Sequence, residues 1–192
     1  QCPSGNIDFY SQAEIDAFAV NYPNCTEIQG YLIIQNSNAT NLNGLSNLTQ
    51  INGYLQVYGN TQLTNLDGLS GLTGIGGDLY IDYNDALTDI SGLQNIDPTS
   101  ILSTYGVGLG IINNPNLSVC HIENVCTYLQ GSGPRTITGN GTSCASESAI
   151  NTACAAAALC GTPINATATN VTQNNATISW TSAGSLFDIE WG

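Results

Sequence analysis

Four aspartates, Asp78, Asp82, Asp85 and Asp89, crowd one short stretch of the chain. Carboxylates at that density could ligate calcium, with Asp78, Asp82 and Asp85 as the nearest set, or work as a pair on a glycosidic bond. The plainer reading is a solvated acidic face. Nucleophilic hydrolysis would need a base, and His121 is the only histidine. It sits between Cys120 and Ile122, and no G-x-S-x-G segment accompanies it. Gly74-Ile75-Gly76-Gly77-Asp78 is glycine-rich, yet it carries no phosphate-binding lysine and leads into a strand pattern, so it reads as a turn. No catalytic residue is assigned, and the chain reads as non-enzymatic.

Recognition chemistry is better represented. Tyr31, Tyr54, Tyr58 and Tyr80 lie in short alternating segments beside Gln56, Asp78 and Asp82. Tyrosine faces stack on sugar rings at small entropic cost, while amides and carboxylates bond hydroxyls. Tyrosine also simply suits strands, which is the competing explanation.

Whether these side chains converge depends on the elements that carry them. Residues 30–34 read GYLII, 53–57 GYLQV, 77–81 GDLYI and 107–111 VGLGI. The first three begin at Gly30, Gly53 and Gly77, about 24 residues apart, and the fourth comes late, after extra residues around Asp97-Pro98-Thr99-Ser100. Asn60, Asn84 and Asn114 follow the later strands, and an L-x-G-L-type segment follows each of the first three: Leu42–Leu45, Leu66–Leu69 and Ile90–Leu93. A single coil cannot bury its apolar face, so such coils must stack. Alternation then sends Leu32, Ile34, Leu55, Val57, Leu79 and Ile81 inward. Outward it aligns Tyr31, Tyr54 and Asp78, then Ile33, Gln56, Tyr80 and Gly110, then Gln35, Tyr58, Asp82 and Ile112. The asparagines recur where a side-chain amide can bond backbone groups that stacking would bury.

The ends need covers. Ser11-Gln12-Ala13-Glu14 is a capping box, and Ile15, Phe18, Ala19 and Tyr22 form one helical face that stops at Pro23. A Cys2–Cys25 bridge would tie this helix down. Ile7 to Tyr10 predicts a half-coil strand ahead of it. At the far end Ser118 is expected to cap a helix bearing Ile122, Val125, Cys126 and Leu129. A short helix near Glu147 to Cys154 follows a glycine-rich loop. Cys120, Cys126, Cys144 and Cys154 fall here, and four cysteines allow three pairings. Zinc with His121 is the sharper alternative, but no C-x-x-C pair is present and disulfides fit an exported acidic chain better.

The pattern L-x-[VI]-x-x-N-x-x-L resembles a leucine-rich repeat. With G-x-L-x-[IV] and L-x-G-L added, residues 1–155 are similar to the receptor L-domain type of repeat, as found in secreted Bacteroidetes-type surface proteins. Coil one departs by one residue after Ile34, and coil four has Val107 for glycine. The resemblance implies pairings Cys120–Cys144 and Cys126–Cys154, and an adhesin exported by the type IX secretion system. From Pro163 to Trp180 the chain resembles the start of a fibronectin type III domain, with strands near Ile164–Val171, Ala176–Trp180 and Phe187–Trp191. Cys160 has no assigned partner.

Composition narrows the partners. One basic residue, Arg135, stands against 14 acidic ones in 192 residues, a formal charge of −13. That excludes a counterion-displacing nucleic-acid binder and an anionic-membrane binder. No apolar run is long enough to insert in a membrane. The seven cysteines point to an oxidising compartment, and Gln1 to a mature start after signal-peptide removal.

The expected architecture is therefore mainly β. Residues 1–26 form an N-terminal cap, 27–117 a leucine-rich-repeat solenoid and 118–155 a cysteine-containing cap. A linker at 156–162 leads to a partial β-sandwich at 163–192. The expected role is extracellular recognition of a glycan or protein through the strand face, without a cofactor. The alternatives are the targeting module of a secreted hydrolase, or a self-assembling surface filament subunit in contact with secretion machinery.

Overall fold

The recurring segments lie side by side as parallel strands in the computed structural model, which describes residues 1–159, 164–169 and 177–181. In chain order the elements are β1 (Ile7–Phe9), α1 (Gln12–Asn21), β2 (Glu27–Ile28), β3 (Leu32–Gln35), β4 (Gln50–Ile51), β5 (Leu55–Tyr58), β6 (Gly74–Ile75), β7 (Leu79–Asp82), β8 (Leu109–Ile112), α2 (Glu123–Gln130), β9 (Arg135–Thr138), α3 (Glu147–Leu159), β10 (Ile164–Thr169) and β11 (Thr177–Thr181). Strands β1, β3, β5, β7, β8 and β9 form one six-stranded parallel sheet, and β2, β4 and β6 a second of three strands. Short 3-10 turns at Asn43–Leu45, Asp67–Leu69 and Ser91–Leu93 close the coils. With its helices and turns, the described chain is mixed α/β rather than the mainly β chain that the repeat pattern predicts.

Register is in step across the coils: Leu32 faces Leu55, Leu55 faces Leu79, and Leu79 faces Leu109. These leucines, with Ile34, Val57, Ile81 and Ile111, are fully buried, as the alternation requires. The L-x-G-L glycines are explained by closeness. A methyl at Gly44, Gly68 or Gly92 would overlap the carbonyl of Ile15, Leu42 or Leu66 respectively, so only glycine lets successive turns pack at this spacing.

A ladder of amides runs through the stack. Asn60 donates through Nδ2 to the Ile34 carbonyl at 2.9 Å, and Asn84 to that of Val57 at 2.9 Å. Asn114 does the same to Ile81 at 3.0 Å. Each Oδ1 accepts from the previous coil: Asn84 from the Asn60 backbone N–H at 3.0 Å, and Asn114 from that of Asn84 at 3.0 Å. Ser37 donates to Asn60 at one end, and Asn140 accepts from Asn114 at the other. All three repeat asparagines are fully buried, so these bonds replace water that cannot reach them.

At the N-terminal end Ser11 accepts from the Glu14 N–H at 3.3 Å, and Glu14 accepts from the Tyr10 N–H at 2.6 Å. Ile15 and Phe18 are the buried face of α1, and Phe18 meets Phe9 edge to face. Cys2–Cys25 and Cys120–Cys144 are disulfides, and Cys126 and Cys154 are also disulfide-bonded.

The C-terminal end differs from expectation in three ways. Ser118 does not cap α2; its hydroxyl donates to the Thr88 carbonyl, and the helix begins later, after Ile122. Part of the expected glycine-rich loop is β9, which pairs with β8 and extends the sheet. The third difference is that α3 continues to Leu159, because Ala155–Ala158 are the best helix formers. The expected linker at 156–162 is thus helical through 159. The chain divides into units 1–151 and 152–192, a boundary inside α3. In the second unit β10 and β11 pair antiparallel with one register shift. The third expected strand at 187–191, and Cys160, lie outside the described residues.

Two outcomes follow from this packing. Asn84→Ala removes one donor from the Val57 carbonyl and leaves the buried Asn60 N–H without its acceptor, and is expected to cost roughly 2 kcal/mol in urea denaturation. The Cys2–Cys25 bridge spans a separation of 23 residues, a loop for which chain entropy gives about 3 kcal/mol. In reductant, hydrogen exchange should therefore accelerate more in α1 than in β5 and β7, since stacked coils open from their ends.

Candidate functional site

The outward side of the six-stranded sheet collects the tyrosines. Register places Asp8, Ile33, Gln56, Tyr80, Gly110 and Thr136 in one row across the strands. Gln35, Tyr58, Asp82 and Ile112 form the next. Ahead of the strands Tyr31 stacks on Tyr54, with centroids 4.7 Å apart. The Tyr80 ring lies over Gly110, where a Cβ would meet it at 2.9 Å, so a glycine in β8 makes room for the aromatic side chain in β7.

A depression of about 430 Å³ opens on this face, lined by Tyr54, Gln56, Asp78, Tyr80, Asp82 and Tyr105. A smaller one of about 240 Å³ beside it is reached by Tyr31, Tyr54 and Tyr105. Among the expected residues, Tyr54, Gln56, Asp78, Tyr80 and Asp82 come together in the larger hollow. Tyr31 borders the smaller one. Tyr58 stands apart, edge to face with Tyr83 at 5.8 Å.

Tyr105 was not legible from the repeat, because it belongs to the insertion that delays the fourth strand. That insertion makes a 3-10 turn at Pro98–Ser100, capped by Asp97, and then returns over the sheet face. Asp78 holds it there. The Asp78 carboxylate accepts from the Thr104 hydroxyl at 2.6 Å and the Tyr105 N–H at 2.9 Å on one oxygen. The other oxygen accepts from Val107 at 3.0 Å and Gly108 at 2.7 Å. Tyr105 then sits edge-on to Tyr54 at 5.5 Å. Burial opposes ionisation of Asp78, but these four donors outweigh it and hold its carboxyl below the ordinary value.

The same contacts remove the calcium reading of Asp78, Asp82 and Asp85. Both Asp78 oxygens already accept from the loop. Asp89 instead accepts from the Ser91 N–H at 2.6 Å to start a 3-10 turn, and Asp85 is exposed. No group of three or more potential metal-ligating side chains is arranged to hold an ion among the described residues. Asp78 and Asp82 share the hollow, while Asp85 and Asp89 are not among its lining residues.

Asp82 has the opposite environment. Its Oδ1 is buried with no hydrogen-bond partner among the described residues. Burial raises its pKa above the ordinary carboxylate value, against a lowering contribution from the Tyr83 N–H. Tyr83 is the second residue the repeat pattern did not flag. It is half-exposed and adopts φ +55°. The equivalent position after the other strands is Asn36, Gly59, Asn113 and Gly139, all with positive φ. Those residue types tolerate the left-handed region; a tyrosine there is strained. The alignment of those positions in the sequence was the signal that could have found it.

Asp78 yields a pH prediction. A carboxyl whose folded pKa lies below its unfolded value contributes stability above the unfolded pKa, and that contribution is lost as pH falls through the folded pKa. Asp78→Asn should therefore lower stability at neutral pH and shrink the difference from wild type in strong acid. It should also speed hydrogen exchange at Tyr105, Val107 and Gly108, measured by amide exchange across a pH series.

No helix among the described residues is long and apolar enough to cross a membrane. No curated protein and no solved structure matches the chain. The family model of the receptor L domain matches residues 24–130, from the end of the N-terminal cap to the end of α2. Strands β3, β5, β7 and β8, the glycine turns and the residues lining the depression fall within that span, and the chain belongs to the receptor L domain family.

Proposed function

We propose that this chain is a non-catalytic recognition module of a larger exported surface protein, binding a glycan or protein ligand on the outward face of a leucine-rich-repeat solenoid. A receptor L domain is an extracellular ligand-binding module, and disulfides at both ends of the repeats agree with an oxidising compartment. The observation that carries the assignment to this face is the tyrosine-walled depression on the six-stranded sheet. Rigid strands present the aromatic faces, so little ordering entropy opposes binding. Tyr83 adds weight, because it keeps a left-handed backbone directly after Asp82, a residue of the hollow, where the other coils use asparagine or glycine.

The fibronectin type III reading of 163–192 belongs to this proposal, supported by the antiparallel β10–β11 pair. So does export to a bacterial surface, which rests on the likeness to Bacteroidetes-type repeats.

The test is binding of the whole chain to immobilised polysaccharides and to extracellular proteins, alongside two variants. Tyr54→Ala with Tyr80→Ala should abolish binding while circular dichroism stays native. Tyr83→Asn should gain roughly 1 kcal/mol of stability by relieving the left-handed strain, yet bind more weakly. Undiminished binding by both variants would put the ligand elsewhere.

A further inference from the structure

The depression is rich in acceptors and aromatic faces, and the chain has almost nothing positive to offer it. There is no lysine, and Arg135 is the single basic residue of the 192. Its guanidinium is engaged with Glu147 at 2.7 Å and with the Gly131 carbonyl at 2.7 Å. On the sheet face, by contrast, Asp82 keeps a buried oxygen without a donor. Asp82 shares the hollow with three tyrosine rings, Tyr54, Tyr80 and Tyr105, and the Gln56 amide. We propose that this hollow receives an arginine side chain from a basic protein partner, its guanidinium stacking on the tyrosine faces and donating to Asp82. This rests on the strand-face reading above and names the ligand chemistry for it.

Three observations select that chemistry. Tyrosine rings attract a cation through their negative faces, more strongly where water is excluded. A neutral sugar would leave the desolvated Asp82 charge uncompensated, whereas a guanidinium neutralises it and is more weakly hydrated than an ammonium, so it enters such a hollow at lower cost. The Gln56 carbonyl oxygen is a further acceptor that a quaternary ammonium, lacking N–H groups, could not use. Neighbouring tyrosines report the same shortage of positive charge. Burial first, then the carboxylates of Asp78 and Asp82, raise the pKa of Tyr80. Burial, Tyr31, Tyr105 and Asp8 do so for Tyr54. Over longer range, the formal charge of −13 would steer a basic partner toward the chain.

The experiment is an NMR titration of the full chain with the acetylated, amidated tripeptide Gly-Arg-Gly, following the ring protons of Tyr54, Tyr80 and Tyr105. Its partner probe carries citrulline, the neutral isostere of arginine, and tetramethylammonium and a neutral oligosaccharide serve as further arms. The arginine peptide should shift these rings saturably, and the citrulline peptide should bind at least tenfold more weakly. Asp82→Asn should abolish the difference between the two peptides. The peptide pair needs no mutation, so a misfolded variant cannot mimic success. Equal binding of the two peptides, or ring shifts elsewhere than this hollow, overturns the proposal. Tighter binding of tetramethylammonium overturns the choice of a protein side chain. If only the oligosaccharide shifts these rings, the strand face stands as a site and the cation falls. If no probe shifts them, both readings fall.

Discussion

Stacking coils buries backbone carbonyls at every turn, and the fold depends on how those groups are satisfied. The side chains of Asn60, Asn84 and Asn114 meet the need by a two-sided arrangement. Each donates to a carbonyl of the preceding coil, and Asn84 and Asn114 accept from the N–H of the preceding asparagine while Asn60 accepts from Ser37. An amide suits this because it carries donors and an acceptor on one short, neutral side chain. A carboxylate would bring a buried charge, and a serine would reach fewer groups. The ladder ends where polarity changes, at Ser37 against the N-terminal end and at Asn140 beside the buried Cys144. It couples each coil to the next by bonds that cannot be traded for water.

That regularity has a consequence for the face opposite the core. Strict register keeps outward side chains in rows, so side chains placed at equivalent positions in different coils become neighbours. The one irregular segment, the insertion before β8, then turns a flat row of side chains into a hollow. Asp78 is the hinge between the two: an outward position in the repeat whose carboxylate is saturated by four donors of the insertion. Asp78 and Asp82 lie four residues apart and end in contrary states. One is stabilised as an anion by four donors; for the other, burial outweighs the single contribution of the Tyr83 N–H. Within one depression, one carboxylate is engaged by the insertion and the other keeps an oxygen without a partner among the described residues.

The C-terminal end uses a different device. Arg135 on β9 bonds the carbonyls of Gly131 and Gly133 and the carboxylate of Glu147, tying the turn after α2 to the start of α3. Burial of Asn124, which donates to the Leu93 and Ile96 carbonyls, seats α2 on the last full coil. Both residues are polar groups placed where the regular ladder has run out, and they do there what the asparagines do inside.

The sequence by itself determined the repeat, the inward residues, the asparagine positions, the N-terminal capping box and the Cys2–Cys25 bridge. These are written in local periodicity and short spacing, which a single coil already expresses. It also determined which tyrosines share the face, because alternation and coil length together set their rows. Tertiary structure decided what lay between coils of unequal length. Tyr105 reached the face only because the insertion folds back, and Asp78 became an anchor only because that insertion presents four donors to it. The helix start after Ser118 moved because Thr88 offered its hydroxyl a partner, and β9 formed because the edge of β8 was open. Each of these depends on a contact across some 25 or 30 residues of chain, and no periodicity encodes the path a loop takes over a surface. The acidic cluster shows the same limit: of four aspartates close in sequence, Asp78 and Asp82 line one hollow while Asp85 is exposed and Asp89 starts a turn, since a coil turns its successive residues in different directions.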